Sequence, residues 1–155
     1  MLEAGTLIRA EEPRDREAIH RVNLEAFGQE EEANLVDALR RSKAFIPELS
    51  LVAVSASDIV GHILFPRIVV KDSAVAHPAL ALAPMAVLPG FQNRGIGSAL
   101  VERGLDRALA LGDDLVIVVG HSEYYPRFGF VPAGPHGIRL PFPAPPEAFM
   151  VRELR

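Results

Sequence analysis

Leu88-Pro89-Gly90-Phe91-Gln92-Asn93-Arg94-Gly95-Ile96-Gly97-Ser98 is the stretch on which the fold turns. Just before it, Leu80 to Val87 has strand character interrupted by Pro84, which cannot donate to a sheet ladder and so marks an edge, a bulge or a splayed position. Just after it, Ile96, Leu100, Leu105, Ala108 and Leu111 trace an amphipathic helix that Gly112 ends. Leu115 to Val119 then gives five consecutive apolar residues of strong strand propensity. Strand, glycine turn, helix and buried strand in that order predict a parallel crossover unit.

A turn in this place aims the unpaired N–H groups of a helix N-terminus at whatever lies ahead of it. The helix dipole adds about half a positive charge there, which favours an anion such as phosphate. Glycines at 95 and 97 remove side chains that would hold a phosphate off the backbone, and Arg94 is placed to add a charge-assisted contact. Taken alone, Gly95-Ile96-Gly97 reads equally well as a plain strand-to-helix turn. A Walker loop is excluded because no Gly-Lys-Ser/Thr follows, and a dinucleotide fingerprint because Leu100 occupies the place of its third glycine.

Toward the N-terminus, Thr6 to Ala10 predicts a first strand. Pro13 opens a helix with Ala18, Ile19, Val22 and Ala26 on one face, closed by Gly28. A second helix is expected from Glu30 to Arg41, with Leu35, Val36 and Leu39 facing inward and its charges agreeing with the helix dipole. Leu51 to Val54, Ile59 to Phe65 and Ile68 to Ala76 read as three strands of an antiparallel meander. Toward the C-terminus, Pro141 to Pro146 (PFPAPP) is incompatible with regular structure, and Phe149 to Leu154 can add a last strand.

The chain has 155 residues, 49% hydrophobic and 23% charged, which fits one domain over residues 1–155 with an ordinary core. No apolar stretch reaches the length that crosses a bilayer, and the acidic start lacks a signal peptide's layout, so a cytoplasmic location without membrane association is expected. The absence of cysteine removes disulfides, Cys-ligated zinc and a cysteine-acyl intermediate, and no metal site is assigned. A net charge of -4 gives no footprint for nucleic acid and suits a small, cationic partner better. A homodimer is left open.

Gln92-Asn93-Arg94-Gly95-Ile96-Gly97 resembles the Gln/Arg-x-x-Gly-x-Gly/Ala loop of the GNAT superfamily of N-acetyltransferases. Tyr125-Pro126-Arg127-Phe128-Gly129-Phe130 resembles that family's Tyr-x-x-x-Gly-Phe segment, and with Gly120-His121 upstream it is similar to a small branch carrying Gly-His-Pro and Tyr-Tyr-Pro-Arg-Phe-Gly-Phe. Ser122 stands here where that branch usually has proline.

The resemblance implies a mixed α/β fold. Its central sheet is mostly antiparallel, of about six or seven strands, splayed between the strands at Leu80 and Leu115, with helices on both faces. It implies acetyl-CoA as donor, with the pyrophosphate on Gln92, Asn93, Arg94, Gly95, Ile96, Gly97 and Ser98, and the pantetheine on the backbone of Met85, Ala86 and Val87. Pro84 would sit at the splay.

The same resemblance makes Tyr125 the acid for the leaving thiolate. A phenol of pKa about 10 is a weaker acid than a thiol of about 8.5, so Tyr125 is expected to act largely as a hydrogen-bond donor. A packing tyrosine with Tyr124 as its exposed neighbour is the alternative. His121, after the buried strand, is the candidate base because its ordinary pKa of about 6.5 suits proton transfer. A cap or supporting role is the alternative there. Glu30, Glu31, His62 and His77 are further candidates to reach a pocket, with a surface or loop place as the first reading of each.

The expected activity is direct transfer of acetyl to a primary amine on a small molecule or peptide. The rival reading is a catalytically silent domain that binds acyl-CoA and regulates a partner. A hydrolase elbow at Gly120-His121-Ser122-Glu123 fails because Tyr124 replaces the second glycine.

Overall fold

The computed structural model describes residues 2–72, 75–136 and 145–154. The proline-rich stretch predicted to be irregular, residues 141–146, lies outside the described residues up to 144; Pro146–Ala148 forms a 3-10 turn.

The chain order is β1 (Thr6–Ala10), α1 (Arg16–Phe27), α2 (Glu31–Arg40), β2 (Ser50–Ser55), β3 (Asp58–Leu64), β4 (Arg67–Asp72), β5 (Val75–Ala81), β6 (Met85–Val87), α3 (Ile96–Ala110), β7 (Leu115–Val119), β8 (Val131–Pro132) and β9 (Phe149–Glu153). The strands form two sheets, one ordered β1-β2-β3-β6 and the other β4-β5-β7-β9-β8. This is the expected splayed α/β architecture, with nine strands among the described residues instead of six or seven. Two differences raise the number: the runs Ile68 to Ala76 and Leu80 to Val87 become three strands, and the two-residue β8 falls where no strand was expected. The apolar run from Ile68 to Ala76 is a hairpin and not one strand, because Asp72 pairs with Val75. Leu80 to Val87 is divided at Pro84 between the two sheets.

The first sheet is buried on both faces, which explains why β2 is apolar without alternation. Leu51, Ala53, Ile63 and Phe65 face α3 with Leu100, Val101 and Leu105, whereas Val52, Ile59 and Leu64 face Ile19 and Val22 of α1 and Val36 of α2. At Gly104 of α3 the ring of Phe65 lies where a side chain would begin: an added Cβ would stand 2.2 Å from Phe65 Cε1.

Helix α1 ends at Gly28 in left-handed geometry, as its glycine predicts. In α2 the buried residues are Ala33 and Val36, while Leu35 is 45% exposed, a correction to its expected inward face. Val36 and Leu35 are about 100° apart on the helix, so a face centred on 33, 36 and 39 turns Leu35 to solvent. Leu111 is likewise exposed, because it is the residue that caps α3 and not part of its buried stripe.

The crossover expected around the glycine turn is present. β5 pairs in parallel with β7 at Leu80↔Val116 and Ala81↔Ile117, and the N–H of Leu82 still reaches the carbonyl of Ile117. Beyond this point the chain leaves that sheet. Ala83 N–H donates to Leu64, Leu64 N–H donates to Pro84, and β6 pairs with β3 alone. Edge strand β6 and the end of β7 therefore diverge, and the loop that begins α3 lies at the mouth of the gap. β9 adds antiparallel to β7, as the last apolar run predicted. Among the described residues no helix is long and apolar enough to cross a membrane.

Candidate functional site

Helix α3 begins at Gly95, whose φ of 82° is left-handed and costs glycine nothing. Asn93 is left-handed as well, at 64°, so the chain reverses sharply between Gln92 and Ile96. The first hydrogen bond within the helix runs from Ala99 N–H to the Gly95 carbonyl, and no side chain caps the end. The N–H groups of Ile96, Gly97 and Ser98 are thus free of helical partners. They open on a cleft of about 320 Å³ lined by Val87, the loop and helix start from Phe91 to Ser98 except Arg94 and, from the segment after β7, Tyr124 and Arg127.

The loop is held in place by neighbours. Gln92 Nε2 donates to the Val87 carbonyl at 3.0 Å, tying the turn to β6. The side chain of Ile96 is buried against Gly61 of β3, so Ile96 offers the cleft its backbone and anchors the helix with its side chain. At Gly97 an added Cβ would meet Tyr124 Oη at 3.4 Å and Met85 Cε at 3.5 Å, so glycine there keeps the cleft floor open. A short anionic group that needs several backbone donors fits this cradle, and a diphosphate has that chemistry.

Arg94 does not line the cleft. Its guanidinium lies over the Phe91 ring, 5.2 Å from the centroid, and 3.9 Å from Glu3. Met85, Ala86 and Val87 form β6, which is an edge strand among the described residues. The antiparallel register turns the Ala86 backbone to β3, and Gln92 takes the Val87 carbonyl. The Met85 backbone and the Val87 N–H are left along the splay.

Tyr125 and His121 occupy different environments. Tyr125 starts the 3-10 turn Tyr125–Phe128 and is 8% exposed. Its ring packs where a Gly120 side chain would be, with Cε2 2.6 Å from the position of a Cβ, and meets Tyr124 and Phe130 edge-on. Burial, with the neighbouring Tyr124 second, pushes its phenol up to about 12. That shift makes it a poorer acid than a free phenol, in the direction of a hydrogen-bond donor. His121 is exposed, and its carbonyl accepts from the N–H groups of Tyr124 and Tyr125. Its backbone thus caps the turn that carries the tyrosines.

Phe91, Tyr124 and Arg127 line the cleft and were not assigned by sequence reasoning. A 3-10 turn has three residues per turn, so positions 124 and 127 share a side. Tyr124 is half-buried, its hydroxyl 3.1 Å from Ser98 Oγ, and Arg127 lies over its ring at 4.8 Å. Their spacing within the Tyr-Tyr-Pro-Arg segment was the available signal.

His62, expected at the surface, is fully buried on β3 opposite Ala86 of β6. The Asn23 amide lies 3.3 Å from Nδ1 and can only donate, which leaves the proton on Nε2, 3.0 Å from Ser50 Oγ. Ser50 in turn donates to Glu11, which Arg40 grips with two contacts at 3.0 Å. Burial, and secondarily Arg40, drive His62 down to about 3, so it is neutral at physiological pH. Glu30 and Glu31 are exposed, as is His77 on β5, away from the cleft.

The family model for the acetyltransferase (GNAT) family matches residues 16–130. The chain is 42% identical over 137 residues to the uncharacterized N-acetyltransferase YjhQ of Escherichia coli (strain K12), covering 86% of this chain and 74% of that protein. Two crystal structures share the fold at 29% identity. One is the GNAT family N-acetyltransferase YhbS from Escherichia coli in complex with CoA, with a TM-score of 0.89 over 100% of this chain and 84% of that one. The other is a GNAT family acetyltransferase from Brucella melitensis in complex with acetyl-CoA, with a TM-score of 0.80 over 97% and 89%. The family model thus matches most of the chain, and the YjhQ relative matches this chain over 86% of its length. The chain belongs to the acetyltransferase (GNAT) family.

Proposed function

We propose that this acetyltransferase uses acetyl-CoA to acetylate a primary amine of a small molecule or peptide. The observation that carries the reading is the uncapped N-terminus of α3 facing a cleft between edge strand β6 and the Tyr124–Arg127 turn. CoA-bound relatives with the same fold support the choice of donor. Acetyl-CoA brings a thioester whose carbonyl carbon a neutral amine attacks, forming a C–N bond as the C–S bond breaks.

Each residue has a role within that reading. Ile96, Gly97 and Ser98 offer N–H groups to the diphosphate. The free edge of Met85–Val87 hydrogen-bonds the pantetheine, and one of its N–H groups holds the thioester oxygen. Tyr125 gives a hydrogen bond to the departing sulfur and, with its phenol pushed up to about 12, keeps its proton. His121, exposed beyond the end of β7, takes the proton from the amine. With no cysteine in the chain, transfer is direct.

Calorimetry with acetyl-CoA, followed by thiol release in the presence of a panel of amines, tests the proposal. Binding plus amine-dependent release is expected. Tight binding with no release for any amine would favour the silent regulatory domain, and no binding would overturn the reading altogether.

A further inference from the structure

The cleft ahead of α3 holds an arginine, but not the one that the glycine motif contains. Arg94 is turned toward Phe91 and Glu3. Arg127 lines the cleft together with Gly95, Gly97 and Ser98, stacked on Tyr124 with its charged carbon 4.8 Å from the ring centroid. It also stands on the ridge to a neighbouring groove walled by Glu102, Asp106 and Arg152. Among the described residues Arg127 makes no ion pair.

We infer that Arg127, not Arg94, is the cation of the diphosphate cradle. The assignment rests on the acyl-CoA reading of the cleft and adds a side chain to it. Backbone N–H groups supply directed bonds but only partial charge, whereas a diphosphate carries formal negative charge that a guanidinium matches with paired donors. Stacking on Tyr124 limits the positions open to the Arg127 head, which reduces the ordering cost of binding. Tyr124 is itself tied to Ser98 on α3, so the two motifs meet at one wall of the cleft.

The test is calorimetry of CoA and 3′-dephospho-CoA against the wild type, Arg127→Gln, Arg127→Lys and Arg94→Gln. A charge-assisted contact corresponds to roughly tenfold to hundredfold in affinity. Arg127→Gln should lose that factor for both ligands alike, Arg127→Lys should recover part of it, and Arg94→Gln should lose about threefold at most. Arg127 is exposed, so melting temperatures should stay near the wild type. Loss for CoA alone would move Arg127 to the 3′-phosphate and overturn the assignment. A larger loss from Arg94→Gln than from Arg127→Gln would overturn it too, with the acyl-CoA reading intact. Failure of the wild type to bind either ligand would sink both together.

Discussion

The hydroxyl of Tyr124 lies 3.1 Å from Oγ of Ser98, and this contact joins the first turn of α3 to the 3-10 turn after β7. The two motifs on which the family resemblance rested are 26 residues apart at these positions and touch here at one wall of one cleft. Neutral hydrogen bonds of this kind contribute about 0.5–1.5 kcal/mol. Tyr124→Phe should therefore weaken acetyl-CoA binding by about twofold to tenfold, and Ser98→Ala by a similar factor. The double variant should lose less than the product of the two, which calorimetry on the four proteins will check. Strict multiplication would mean the contact plays no part in shaping the cradle.

Gly97→Ala should fold normally, because its Cβ meets Tyr124 and Met85 at 3.4 and 3.5 Å, ordinary contact distances. Gly97→Val should also fold, yet hold a branched side chain over the helix N-terminus. Acetyl-CoA affinity is expected to fall about tenfold for alanine, as one or two backbone hydrogen bonds are lost, and beyond calorimetric detection for valine. Undiminished affinity with valine would remove the diphosphate from this loop.

Tyr125→Phe should slow amine acetylation about tenfold or more while acetyl-CoA affinity stays within about twofold, since the bond to sulfur strengthens as charge develops. The pH profile gives an independent check. With its phenol pushed up to about 12, Tyr125 remains a donor throughout the usual assay range. No alkaline loss of activity should appear near pH 10, the ordinary phenol range of about 10, and a limb there that vanishes in Tyr125→Phe would contradict its buried setting.

His62 makes stability depend on pH in a known direction. Its folded pKa of about 3 lies below the unfolded value of about 6.5, so the unfolded chain binds the proton first on acidification. The stabilisation is whole above about pH 6.5 and drains away as pH falls toward 3, at up to about 1.4 kcal/mol per pH unit. Between pH 6.5 and 5 the wild type should lose about 2 kcal/mol more than His62→Gln does over the same interval in urea titrations. Equal losses in the two proteins would show that His62 is protonated without penalty.

Gly104→Ala should destabilise the protein although alanine is the better helix former. The new Cβ would lie 2.2 Å from Phe65 Cε1, and Phe65 is fully buried, so the ring has nowhere to go. Overpacking costs about 1–3 kcal/mol and more where the neighbour cannot yield, against a propensity gain of about 1 kcal/mol. A thermal melt at or above the wild-type midpoint would show that the ring relocates.

The sequence by itself determined the crossover from Leu80 to Val119, the glycine-closed α1 and the glycine turn that opens α3 at Gly95, because those features depend on local periodicity and turn chemistry. It left open what depends on contacts between distant segments. Arg94 is adjacent to the glycines in sequence but is drawn to Glu3 and Phe91 in space, while Arg127 arrives from another turn. His62 sits in a polar network linking α1, β2 and β3, and Leu35 faces water because Ala33 and Val36 form the buried side of α2. Side-chain partners and burial are set by which elements meet, so tertiary packing alone decided which charges and hydroxyls the cleft contains.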